Sequence, residues 1–383
     1  MKSKVFVFLS ILFFALTGCT GEEVIIQPVN RTLLVYMIAN NNLDMYGRNN
    51  IRNMATVATP ANLNGGTLLV YYAPMNYPPK LVRIEATSDN LGTQEAFDAY
   101  IDAHSIKEYP QQNAVDPAVM RNVIEDAVKL SPADRYGMVL WSHGTAWIPS
   151  NFTNMLRSFG SDGGKQMEID ELAEGLPDHF FDFLLFDACY MASAECVYEL
   201  KDKAEYIIGS GTETLGDGFP YKSIVPEFFA SNLSVEKIAE NFYTYYQNSS
   251  TPYASVSVTK TSELEGLAAS IRAILSTKTE TDVYAVSLDE MQVLERLLYN
   301  PHFLYDLDDF IKQLATADQY NHFKEALDKA IVCKYFTKEG YFAVGGVAPI
   351  DRFSGLSVYV PQQKLAKINE WYKRLKWYQA VYQ

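Results

Sequence analysis

Cysteine and histidine are scarce: the 383 residues hold four cysteines and five histidines. No two cysteines form a Cys-x-x-Cys pair, which argues against a disulfide framework and a four-cysteine zinc site. Basic charge is also short. Lys and Arg number 32 against 46 Asp and Glu, a formal charge of -14, so no nucleic-acid partner is expected. No EF-hand spacing, internal repeat or low-complexity tract is present, and no linker is evident after residue 30. The Gly-rich stretch at 216–218 lacks the Gly-Lys-Ser/Thr ending of a phosphate loop.

One long apolar run exists, from Val5 to Leu16, behind Lys2 and Lys4. It is too short for a membrane span and has the flanks of an export signal. It ends Leu16-Thr17-Gly18-Cys19, which resembles a bacterial lipobox. That reading makes 1–18 a lipoprotein signal peptide, Cys19 the lipidated residue and 19–30 a tether. It implies an exported, lipid-anchored protein of a bacterial cell envelope or surface. Cys189, Cys196 and Cys333 then remain for the folded part.

What remains is 48% hydrophobic and 13% aromatic, ample for a large core. Apolar runs at 31–39, 66–74, 80–86, 136–144, 182–189 and 204–213 read as strands. Helical spacing falls between them at 43–58, 116–132 and 191–202, the second opened by Asp116 and Pro117. Further on, 234–250 and 262–278 read as helices, 253–260 and 355–361 as strands, and 362–382 as a closing amphipathic helix. Repeated strand–helix–strand units predict an α/β fold with a mainly parallel sheet and helices on both faces. We expect a core over 31–260, with 261–383 a C-terminal part of the same fold.

In open parallel sheets, functional groups collect beyond the carboxyl ends of the strands. Two runs end in reactive side chains: "MVLWSHGTAW" delivers His143, and "LLFDACYMA" delivers Cys189. An imidazole beside a thiol can take its proton or stabilise the nucleophilic thiolate. Gly144 lets backbone approach a substrate. The amides of Gly144 and Cys189 are the expected oxyanion donors. Taken singly, a Cys or His at a strand end is more often packing. Cys196 and Cys333 read as core.

The stretches "YMIANNNLD" (36–44), "LWSHGTAW" (140–147), "FDACYMASAE" (186–195), "GDGFPY" (216–221) and "GLSVYVP" (355–361) together resemble the clostripain family of cysteine peptidases, in the caspase-like clan. The resemblance implies a caspase-like α/β/α sandwich and a catalytic dyad, His143 and Cys189, with no obligatory third member. It implies cleavage of protein or peptide substrates after Arg or Lys, with Asp187 in the acidic pocket and Asp217 a second candidate carboxylate. It also implies self-cleavage between the two catalytic residues. Arg157, and after it Lys165, are the basic sites in the polar loop 148–172. No catalytic metal or other cofactor is expected; Ca²⁺, on which clostripain-like enzymes can depend, is left open as a structural ion without a motif. Two departures stand out. Tyr190-Met191-Ala192 replaces the family's Leu-Met-Gly, and Ala39-Asn40-Asn41-Asn42 replaces Ala-Asp-Asn-Asn, so an acid is lost. The rival readings are a non-catalytic surface binding lipoprotein on the same fold, and a peptidase of the clan with another residue preference.

Overall fold

The computed structural model describes residues 28–148, 159–297 and 300–383. Cys19 and Arg157 therefore lie outside the described residues, as does the lipobox. Strands are numbered here in chain order: β1 (Thr32–Ala39), β2 (Thr67–Pro74), β3 (Lys80–Arg83), β4 (Ser105–Glu108), β5 (Tyr136–Trp141), β6 (Phe159–Asp162), β7 (Lys165–Met167), β8 (Phe181–Asp187), β9 (Ala204–Gly209) and β10 (Ser255–Lys260). β11 (Leu304–Asp306), β12 (Ile331–Phe336), β13 (Glu339–Phe342), β14 (Gly346–Pro349) and β15 (Ser357–Tyr359) follow. Nine of them form one sheet in the order β12-β10-β9-β8-β5-β1-β2-β3-β4. The central five, β9 to β2, run parallel. Both flanks close with antiparallel strands.

The period-two alternation of a strand splits each central strand between two cores. In β1, Leu34, Tyr36 and Ile38 face one side, and Leu33, Val35, Met37 and Ala39 the other. The first side is covered by helices that include Pro117–Leu130, Ile169–Gly175 and Leu264–Leu275. The second is covered by helices Asp44–Val57, Gln94–His104, Tyr221–Phe228 and Val235–Gln247. The result is a three-layer α/β/α sandwich, and both faces being covered explains why the central strands read as continuous apolar runs.

The helix expected at 116–132 runs Pro117–Leu130, capped by the Asp116 side chain on the amides of Ala118 and Val119. The helix expected at 191–202 is only Ala194–Glu199, because residues 190–193 are spent on the turn that follows Cys189. The strand expected at 204–213 ends at Gly209, and 210–213 leave the sheet. The single closing helix is two, Ala366–Tyr372 and Lys376–Tyr382. The C-terminal third is more structured than its looser pattern suggests. It supplies the edge strand β12 and the β13–β14 hairpin, and its helices share the core on one face of the sheet.

At the amino end of the sheet, Arg31 donates from Nε and Nη2 to Asp182 and from Nη1 to the Phe228 carbonyl. Arg135 meets the same carboxylate. This knot holds three strand starts together and leaves the carboxyl end open. Among the described residues, no helix is long and apolar enough to cross a membrane.

Candidate active site

β5 and β8 are adjacent and parallel, with Trp141 and Asp187 as register partners. His143 and Cys189 each stand two residues beyond that pair. Equal offsets from one rung of a parallel ladder bring the two loops side by side. The contact is through backbone: a Cβ placed on Gly144 would lie 2.5 Å from the Cys189 carbonyl oxygen and 3.2 Å from the Ala188 Cβ. Only glycine fits there. Both side chains line one cleft of about 270 Å³, together with Asp187, Glu213, Thr214, Leu43 and Arg296.

Cys189 opens a turn of unusual conformation. The next residue, Tyr190, has φ 63°, a left-handed value that a bulky residue rarely adopts. The conformation persists because its amide donates to the Thr212 carbonyl at 2.9 Å and its hydroxyl to Glu213 at 2.7 Å. The Cys189 thiol faces the Thr214 backbone, accepting from its amide at 3.4 Å. Burial, and then the negative charge of Glu213, push that thiol up to about 12. It is protonated at neutral pH as it stands. Burial lowers the pKa of His143, so its ring is neutral and able to accept a proton. His143 Nε2 lies 2.7 Å from Asn42 Oδ1.

Asp187 is buried and lines the cleft. Its carboxylate accepts from the Phe219 amide at 3.2 Å and the Tyr221 hydroxyl at 2.9 Å. Desolvation outweighs those bonds and raises its pKa to about 6. The 216–218 turn lies directly on it: a Cβ on Gly218 would fall 2.6 Å from an Asp187 oxygen. That turn is held from behind by Asn50, which accepts from Trp141 Nε1 and donates to the Asp217 carbonyl, and by Tyr246, which donates to the Gly218 carbonyl. Asp217 itself is exposed and is not among the residues lining the cleft. The structure brings His143, Gly144, Asp187 and Cys189 together and leaves the Asp217 side chain outside. Lys165 is exposed near the tip of the β6–β7 hairpin, paired with Asp162.

Glu213 escaped the sequence reading. It lines the cleft, accepts from Tyr190 Oη and from the Ala343 amide at 2.9 Å, and is held above its ordinary pKa by burial. Its only signal was position, at the head of the loop that also carries Asp217. Arg296, Leu297, Ala343 and Val344 also line the cleft from the C-terminal third. No motif marks them. Cys196 is fully buried and Cys333 partly so. Among the described residues, no group of three or more His, Cys, Asp or Glu is placed to hold a metal ion.

A thiol and an imidazole beyond adjacent parallel strands of a three-layer sandwich define the class of caspase-like cysteine peptidases. A sequence profile of the Clostripain family matches residues 35–383, and the chain belongs to that family of cysteine endopeptidases. It is similar to clostripain of Hathewaya histolytica, 27% identical over 216 residues. That match covers 50% of this chain and 41% of clostripain, so the chain spans less than half of that relative. Among solved structures it resembles an inactive zymogen C11 protease from Parabacteroides distasonis, 39% identical, covering 94% of this chain and 100% of that one, with a TM-score of 0.82. It also resembles a secreted C11 cysteine protease from Bacteroides thetaiotaomicron in complex with an irreversible peptide inhibitor. There the identity is 32%, the coverage 92% and 99%, and the TM-score 0.78.

Proposed function

We propose that this chain hydrolyses peptide bonds with a Cys189–His143 dyad and prefers Arg or Lys before the cut. The observation that carries the reading is the placement of His143, Cys189 and the buried carboxylate of Asp187 in one cleft at the carboxyl end of the sheet. His143 takes the thiol proton as Sγ attacks the scissile carbonyl. The amides of Gly144 and Cys189 hold the oxyanion. The amine leaves with the proton from His143, and water then hydrolyses the thioester. Asp187, ionised above about 6, supplies the negative charge that a guanidinium or ammonium needs.

We further read the described conformation as an uncut precursor. Its thiol is held protonated by burial and by Glu213. Glu213 also ties the Ala343 amide across the cleft. Cutting in the segment 148–172, which holds the β6–β7 hairpin and the start of the helix Ile169–Gly175 rather than one polar loop, is the proposed activating step, after Arg157 in preference to Lys165. Lys165 is the weaker site because β7 must leave its hairpin to be cleaved. The lipobox adds export and a lipid anchor at Cys19, consistent with a relative described as secreted.

The test is hydrolysis of short fluorogenic peptides ending in Arg, Lys, Asn or Asp, using residues 20–383 with thiol reductant. Cleavage after Arg or Lys, absent in Cys189→Ala, is expected. Cleavage after Asn or Asp alone would keep the dyad and remove the acidic pocket. No cleavage, even after mild trypsin nicking, would leave a binding protein on this fold.

A further inference from the structure

The run Asn40-Asn41-Asn42 leaves β1 at the carboxyl end of the sheet, beside the site. Each of its three side chains has a distinct partner. Asn40 donates to Asp162 Oδ1 at 2.6 Å. Asn41 donates to the carbonyls of Ile38 and Ser161 at 3.0 and 2.7 Å, and its oxygen accepts from the Leu43 amide at 2.8 Å. Backbone bonds lock the same turn: the Asn41 amide donates to the Ala39 carbonyl, and the Gly163 amide to the Asn40 carbonyl. The third side chain is the one at His143 Nε2.

From this we infer that Asn42 is a positioning residue for the dyad, fixing the tautomer and orientation of the His143 ring. The inference rests on the dyad proposed above. An amide oxygen is an acceptor only, so the 2.7 Å contact requires the proton on Nε2. The remaining basic nitrogen is then Nδ1, which is the atom available for the thiol proton. The proton moves from Sγ to Nδ1, and the imidazolium that results still donates Nε2–H to Asn42. The amide is neutral, so it orients the ring without raising its pKa as a carboxylate does. Asn42 is not among the residues lining the cleft; it acts through His143 and does not meet substrate.

The preceding asparagines make this a prepared arrangement. Asn42 is exposed, and an isolated exposed amide would trade its partner for water. Here Asn40 and Asn41 fix the backbone on both sides of the turn to β1 and to β6. His143 is held to the same strand, its carbonyl accepting from the Gly160 amide at 2.9 Å. Donor and acceptor are thus anchored to one element, so little freedom is lost when the bond forms.

Two measurements on the full mature chain test the inference. The first needs no activity. In Cys189→Ala, ¹⁵N shifts of the His143 ring are expected to show the Nε2–H tautomer. In Cys189→Ala with Asn42→Ala they are expected to show a mixture. Unchanged shifts would overturn the inference, even if the chain hydrolysed nothing and the peptidase reading had itself failed. The second is kinetic, on chains nicked identically by trypsin. Asn42→Ala is expected to lower kcat about 10- to 100-fold with KM within about twofold. Asn42→Asp is expected to recover part of kcat and to move the His143 limb of the pH profile to higher pH, since a carboxylate stabilises the imidazolium. A wild-type kcat in Asn42→Ala, or an unmoved limb in Asn42→Asp, would overturn it.

Discussion

Asp187 carries two requirements that pull apart with pH. Burial raises its pKa from the ordinary carboxylate range to about 6. The folded chain therefore holds this proton more tightly than the unfolded chain does. The stability contributed by the group is fully present below its unfolded pKa and is lost as pH rises through about 6. Under the proposed Arg or Lys preference, binding of the basic side chain runs the other way, because only the ionised form attracts it. KM for an Arg peptide is accordingly expected to fall as pH rises through about 6, while the urea midpoint of the uncut chain falls over the same window. Asp187→Asn is expected to lower kcat/KM for Arg and Lys peptides about 10- to 100-fold, the size of a lost charge-assisted bond. It should also flatten the pH dependence of KM. An unchanged Arg preference in that variant would assign Asp187 to packing alone, as the partner of Phe219 and Tyr221.

The elements act by bringing two loops into register. β5 and β8 share the rung Trp141–Asp187, and the loops beyond it touch at Gly144. A methyl group there meets the Cys189 carbonyl at 2.5 Å, well inside van der Waals contact. Neither atom belongs to a flexible side chain, so the two loops must part. Gly144→Ala is expected to remove most peptidase activity, with kcat down at least about 100-fold because a displacement of 1 Å suffices for that. The sheet is expected to survive, since the knot of Arg31, Arg135 and Asp182 lies at its opposite end. Circular dichroism and a thermal melt check the fold beside the assay. A fully active Gly144→Ala would mean that the loops separate in the working enzyme. The sequence showed why each strand ends in a reactive residue. It did not show that the strands are neighbours, because β8 follows β5 in the chain only after the β6–β7 hairpin.

Across the whole molecule, the C-terminal third closes over the cleft that holds His143 and Cys189. Ala343 reaches Glu213, which holds Tyr190, which adjoins Cys189. This chain of contacts keeps a carboxylate beside the thiol and the thiol protonated. If cutting the 148–172 loop loosens it, the thiol becomes reactive. Iodoacetamide is expected to label Cys189 at pH 7 at least about tenfold faster in the cut chain than in uncut Arg157→Ala with Lys165→Ala, since the thiolate is the nucleophile. Cys196 is buried and does not compete. Equal rates in the two chains would show that the uncut form is already competent.

The sequence alone determined the central parallel strands and the helices between them, and it singled out His143 and Cys189 as the candidate pair at two strand tips. Hydrophobic runs of strand length, glycine at a close approach and a thiol at a strand tip are local signals, and they survive without knowledge of the fold. Only the tertiary structure decided what surrounds the pair. Asn42, Glu213, Arg296 and Ala343 come from four separate stretches of chain; Asn42 lies in a stretch that the sequence marked without its partner, and the other three carry no local mark. Asp217, which shares a loop with Glu213, turns outward because the turn at Gly218 closes on Asp187. Side-chain direction in such a turn follows from what packs beneath it, here Asn50 and Tyr246, and that packing exists only once the layers have assembled.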